Sequence, residues 1–280
     1  MSKIIFMGNG PLAEYLKKEL ESEHEIIFHA HDKSDLDTVK KLKLKNPDAY
    51  GILASFGVII KPDLLDLFEP EGIINIHPSF LPEYRGPSPI ETAIKNGDCD
   101  FGVSIMKLVK EMDAGPIYFQ MNSNQDTGDT LPATTEDYPT KDDIYRGSAE
   151  VASYWLNSCL DRENLSPLEP QDNSHATYTT KLDKSMSPLD TENKNALELL
   201  CEIRAFQDFP KSTAKIYGKN CIIHSAHVPI EPSELDDLAN HPEKYLVLHC
   251  KNGTILFIDE LQPENKNRMT AKAFLNGYKH

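Results

Sequence analysis

At 280 residues the chain is longer than most single domains, so two domains of unequal size are the first expectation. With 26% charged residues, a mean hydropathy of −0.46 and no apolar run near the roughly 20 residues of a membrane span, the composition excludes a helical membrane protein and points to the cytoplasm. The net charge of −15 argues against a general polycation, because residues 1–187 hold 18 Lys+Arg against 31 Asp+Glu and residues 188–280 hold 11 against 13; an RNA partner would need a local basic surface.

The N-terminal MSKIIFMGNG leaves no room for a signal peptide before the first strand-like run. From there short apolar runs alternate with helical patterns: KIIFM then PLAEYLKKELES, EIIFHAH then a helix through Leu36 to Lys45, AYGILAS then PDLLDLF, and GIINIH. That order predicts a Rossmann-like α/β domain with a parallel sheet and right-handed crossovers. Gly8, Gly10 and Ala13 satisfy GxGxxA, and Asp32 ends the second strand where a ribose-binding acid would stand, so a dinucleotide fingerprint is formally met and an NAD-linked oxidoreductase is a distant alternative. The simpler reading is a glycine turn that feeds a strand into its helix, with Pro11 at a first position where a missing N–H costs nothing. Lys40, Lys41, Lys43 and Lys45 read as the solvated face of a helix packed through Leu36, Val39, Leu42 and Leu44.

The segment from Asn75 to Ile117 carries the chemistry. Asn75 and His77 lie two apart at the end of a strand, so both side chains leave the same face at the carboxyl edge, where open α/β sheets keep their ligands. Asp113, in a DAG turn, returns after one helix and one strand. An amide, an imidazole and a carboxylate without metal or phosphate-loop spacing suit the transfer of a carbonyl carbon. DFGVSIMKLV and GPIYFQM read as two more strands, Asn122 to Thr140 as a mobile loop, and Asp142 to Leu160 as a long amphipathic helix.

Residues 161–188 are polar and proline-punctuated and read as a linker, closing a catalytic domain over 1–180 and opening a second domain over 189–280. There a helix at Asn193 to Ala205 precedes TAKIY, CIIHSAHV, KYLVLHC and GTILFIDEL, with a last helix at Thr270 to Tyr278. This pattern predicts a small β-rich, OB-like barrel serving as a binding platform. Cys99, Cys159, Cys201, Cys221 and Cys250 are odd in number and scattered, which predicts reduced thiols and neither disulfide nor zinc. No histidine shows a metal-binding spacing, and nothing suggests a self-complementary surface, so the expectation is a monomer without metal.

The run NIHPSFLPEYRGPSPIETAIKNGD, followed by GVSIM and the DAG turn, resembles the signature of the folate-dependent formyltransferases. ATYTTKL at 176–182 and LQPENKNRMTAKAFLNGY at 261–278 are similar to the linker and C-terminal domain of the branch of that family that formylates methionyl-initiator tRNA. The resemblance covers nearly the whole chain and implies transfer of a formyl group from 10-formyltetrahydrofolate to an α-amino group. It implies that Asn75 and His77 stabilise a tetrahedral oxyanion, that Asp113 favours the imidazolium of His77, and that the C-terminal domain binds tRNA. Ser79, Phe80, Leu81 and Pro82, with Phe56, Val58, Ile59 and Ile60, would then hold the flat pterin. One departure stands out: the long basic loop usual in that branch between the second strand and the following helix is reduced to a few residues. That leaves a second reading open, an N-formyltransferase acting on an amino sugar nucleotide or other small amine; a third option, a catalytically dead RNA-binding module, is at odds with the presence of Asn75, His77 and Asp113 together.

Overall fold

The computed structural model describes residues 1–98, 101–122, 139–160, 165 and 168–278. Most of the loop expected over Asn122 to Thr140, and the start of the expected linker, lie outside the described residues. The chain forms two compact units, one from Met1–Ile90, Asp100–Thr127 and Lys141–Thr180, the other from Glu91–Cys99, Gly128–Thr140 and Lys181–His280. Among the described residues no helix is long and apolar enough to cross a membrane.

The first unit runs β1 (Lys3–Gly8), α1 (Pro11–Leu20), β2 (Glu25–Ala30), α2 (Leu36–Lys45), β3 (Tyr50–Ala54), α3 (Pro62–Leu65), β4 (Ile73–His77), the start of α4 (Pro89–Asn96), β5 (Gly102–Lys107), β6 (Ile117–Asn122) and α5 (Lys141–Leu160). The six strands lie in the order β2-β1-β3-β4-β5-β6. The first four are parallel, as the strand–helix alternation requires, whereas β5 pairs antiparallel with both β4 and β6, so the sheet is mixed. For β5 and β6 the reason is the connection: the nine residues from Leu108 to Pro116 that join them are too few for a crossover helix, and a short connection turns the chain back on itself.

Alternation along the buried strands sorts their side chains into two cores. Ile4, Phe6, Ile52, Ala54, Ile74, Ile76, Val103 and Ile105 face α1 and α5, meeting Leu12, Leu16, Leu20, Ala152, Leu156 and Leu160. Ile5, Met7, Leu53 and Ile73 face the other way, toward Val39, Leu64 and Phe68. Each buried isoleucine or leucine contributes about 1.5–3 kcal/mol. Asn75 and His77 share the second face with Ile73, where at the end of β4 loops succeed the helices of that layer.

Two local expectations change. On α2 the buried residues are Val39 and Lys43, one turn apart, while Leu44 is 63% exposed. Lys43 lays its stem in the core and donates from Nζ to the carbonyls of Pro47 and Ala49, and Lys40 pairs with Asp63, so the four lysines are not one solvated face. Burial holds the Lys43 amine below its ordinary pKa. The segment read as a linker is also structured in part: Glu169 bridges to Ile117, and Tyr178 lies parallel to Arg85.

The second unit contains α6 (Ala196–Ala205), β7 (Ser212–Ile216), β8 (Lys219–His227), α7 (Pro232–Asn240), β9 (Val247–His249), β10 (Ile255–Pro263), β11 (Met269–Thr270) and α8 (Ala271–Tyr278). It is β-rich as expected: one antiparallel sheet ordered β11-β10-β8-β7, with β9 on β10. Leu199, Leu200 and Ile203 of α6 meet Ile216, Ile223, Leu256, Ile258, Leu261 and Phe274 in its core. The helix starts at Ala196 rather than Asn193 because the Asn195 side chain accepts the Glu198 amide N–H, a capping box that Glu198 completes. The sequence pattern missed α7, whose nine residues contain no buried side chain. Among the described residues Cys201, Cys221 and Cys250 are buried and Cys159 is half-buried, each as a thiol rather than half of a disulfide.

Candidate active site

β4 delivers two of the three polar candidates. Asn75 and His77 are each 5% exposed, opposite Met106 and Ser104 of β5. Buried polar groups must be partnered, and the partners define the site. His77 Nε2 donates to the backbone carbonyl of Tyr84 at 3.0 Å, since a carbonyl can only accept. That fixes the tautomer and turns Nδ1 toward the Asp113 carboxylate, 3.7 Å away and beyond a hydrogen bond. Asn75 Nδ2 reaches the other Asp113 oxygen at 3.5 Å, the long limit of an interaction. Amide and imidazole therefore converge on one carboxylate without closing on it.

Asp113 itself sits in an unusual place. Its backbone φ of 48° is left-handed, a conformation that costs a non-glycine residue of order 1 kcal/mol and persists only when neighbours enforce it. Gly115 is one enforcer: a Cβ there would stand 1.8 Å from the Lys107 carbonyl oxygen, so the turn can press against β5 only as glycine. The Gly86 amide donates to Asp113 Oδ2 at 2.8 Å, and Gln171 Nε2 donates to the carbonyls of Asp113 (2.9 Å) and Gly115 (2.7 Å). Gln171 in turn accepts from Arg85 Nε and Nη2 at 3.1 and 2.6 Å; Arg85 is 2% exposed and also donates to Asn173.

Sequence reasoning missed Gln171 and Arg85. Arg85 stood in the quoted motif, and Gln171 in a stretch whose polar composition hid it. The alternation of Thr177 and Thr179 in ATYTTKL was the available signal. Those residues lie extended along the motif loop, with Thr177 Oγ1 accepting from the Tyr84 amide and Thr179 Oγ1 from that of Ser88.

The expected pterin-binding residues fall into two groups. Ser79 and Leu81 are buried, pinned by Ser104 Oγ, which donates to the Ser79 carbonyl and accepts from the Leu81 amide, and by Gln120 Nε2, which donates to the Leu81 carbonyl; Pro82 is half-buried and Phe80 is 46% exposed. Phe56 and Ile60 pack into the second core with Val58 against them, whereas Ile59 is 85% exposed. Phe56 and Ile60 thus shape their loop from beneath.

The dinucleotide fingerprint takes its simpler reading. A Cβ at Gly8 would meet the Ala54 carbonyl at 2.5 Å and Ala13 Cβ at 2.8 Å, so the glycine serves strand–helix packing. Asp32 folds back to accept from the amide and hydroxyl of Ser34. Between Ala30 and the turn that opens α2 only two residues remain, so the connection is short.

A family model described as formyl transferase matches residues 9–142, and one described as formyl transferase, C-terminal domain, matches residues 181–279. The methionyl-tRNA formyltransferase of Methylobacillus flagellatus is 34% identical to the chain over 93% of its length and 81% of that protein's. The structure of a methionyl-tRNA formyltransferase from Clostridium thermocellum superposes with a TM-score of 0.60 at 18% identity, covering 94% of this chain and 99% of that one. That of WlaRD, a sugar 3N-formyl transferase determined in the presence of dTDP and 5-N-formyl-THF, gives 0.59 at 18%, covering 95% and 99%.

Proposed function

Because the chain belongs to the formyltransferase family, we propose that it transfers the formyl group of 10-formyltetrahydrofolate to the α-amino group of methionyl-initiator tRNA. The observation that carries the mechanism is the open convergence of Asn75 Nδ2 and His77 Nδ1 on Asp113, at 3.5 and 3.7 Å.

An α-amino group has a pKa of about 8, so a useful fraction is neutral at cellular pH and needs positioning more than a strong base. Its nitrogen attacks the formyl carbon; the new C–N bond forms as the carbonyl π pair moves onto oxygen. Asn75 donates to that oxyanion from its amide. His77 can donate from Nδ1 only as the imidazolium, because its Nε2 proton is already committed to Tyr84. The Asp113 carboxylate faces that nitrogen at 3.7 Å, a negative group beside the charge the ring carries when it donates. A fixed donor of this kind contributes about 3–4 kcal/mol to the transition state. Collapse re-forms the carbonyl, the attacking nitrogen loses its proton, the folate nitrogen gains one, and the C–N bond to folate breaks.

The Ser79 to Pro82 segment, its backbone held by Ser104 and Gln120, supplies a fixed wall for the pterin, while exposed Phe80 and Ile59 offer apolar area. The tRNA acceptor is supported by the relative's 34% identity across both domains. An amino sugar nucleotide or other small amine is the second reading, favoured by the short connection after β2 and the charge of −13 in residues 1–187. Incubating the protein and formyl donor with equal concentrations of charged initiator tRNA and a nucleotide-linked amino sugar, then weighing both products by mass spectrometry, separates the two. A formyl group gained by the methionyl ester supports the first, and one gained by the sugar replaces it.

A further inference from the structure

The Asp113 turn carries more constraint than a loop of its length supplies by itself. Its left-handed backbone at Asp113 and its close approach at Gly115 leave two carbonyls side by side, and one side-chain amide, Gln171 Nε2, donates to both. An amide rotates freely by half a turn at little cost, which would swap its donor for its acceptor. Here the flip is blocked, since Gln171 Oε1 receives two parallel N–H groups from the buried Arg85 guanidinium. Arg85 is itself fixed by backbone bonds in both directions, its N–H to the Thr177 carbonyl at 3.0 Å and its carbonyl from the Thr179 N–H at 2.7 Å.

From this chain of contacts we infer that Gln171, oriented by Arg85, is a positioning residue: it sets where the Asp113 carboxylate stands relative to His77 and Asn75, without touching the reacting atoms. The rate consequence rests on the formyl-transfer reading above; the placement consequence does not. The gaps of 3.5 and 3.7 Å are the quantity under control, because a carboxylate allowed to close by less than 1 Å would hydrogen-bond both donors and occupy them.

Gln171→Glu separates positioning from simple structural support. The carboxylate oxygen that takes the place of Oε1 still accepts both Arg85 N–H groups, now as an ion pair that keeps the segment attached. Its second oxygen, however, faces the Asp113 and Gly115 carbonyls and repels them. Expected are a Tm within a few degrees of wild type, a kcat lower by about 10- to 100-fold and a KM for the formyl donor changed by less than about threefold, the pattern of a misplaced catalytic group. The Gly86 amide, which donates to Asp113 Oδ2, reports placement directly, and its proton resonance in two-dimensional NMR should move. Gln171→Met, which deletes the donors without adding charge, repeats the test if the Glu variant does not fold. A Gly86 resonance at its wild-type position overturns the inference, as does an unchanged kcat. Should wild-type protein formylate neither amine, the functional reading fails alone, and the Gly86 resonance still decides the placement.

Discussion

Two histidine–carboxylate pairs in this molecule have the same components and opposite designs. In the second unit His227 Nδ1 lies 2.9 and 3.0 Å from the two oxygens of Asp259, its Nε2 is 3.5 Å from Glu234, and its ring stacks on Phe257. The hydrogen bond with Asp259, reinforced by both negative charges, raises the His227 pKa against the opposing effect of burial. In the first unit His77 spends Nε2 on a backbone carbonyl and keeps Nδ1 short of its carboxylate. A closed pair ties α7 to β8 and β10, whereas an open pair keeps its donor for a third atom. The difference should appear as a division between stability and rate.

The largest effects belong to the open pair. Asn75→Ala, His77→Ala and Asp113→Ala should each lower kcat by about 100-fold or more in steady-state formyl transfer, with modest change in KM; near-normal turnover in any one removes that residue from the mechanism. Gly115→Ala comes next, since its Cβ cannot fit against the Lys107 carbonyl. It should cost about 3 kcal/mol in urea unfolding and slow transfer by displacing Asp113.

For the closed pair the effect is on stability and depends on pH. A raised folded pKa means that the stabilisation is present below the ordinary histidine value and fades as pH rises through the folded one. His227→Gln should therefore lower Tm by about 2–4 °C at pH 6 and by much less at pH 9, with the rate constant for transfer unchanged. A Tm deficit that grows with pH would reverse the comparison. The smallest effect is at Asp32, a carboxylate closed on its own turn, where Asp32→Ala should leave transfer within about twofold of wild type.

How much of this was legible follows from the range of each signal. Period-two alternation around Ile73, Asn75 and His77 is local, so strand, face and sheet edge could all be read from five residues. The antiparallel turn-back from β5 to β6 was written in a connection length rather than in periodicity. Lys43 misled because a long aliphatic stem buries as a hydrophobe while its amine finds two carbonyls. The clamp on Asp113 was the hardest to see: Arg85 and Gln171 are 86 residues apart, and a glutamine in a proline-rich stretch carries no periodic signal of its own.

The central claim is that Asn75 and His77 grip one oxyanion from alternate positions on one face of β4. A crystal structure with a folate-linked tetrahedral adduct that mimics the addition intermediate tests it most directly. The account predicts the adduct oxygen about 3 Å from both Asn75 Nδ2 and His77 Nδ1, with Asp113 still facing the imidazole. An oxygen bound elsewhere, with both side chains left facing Asp113 alone, would contradict it.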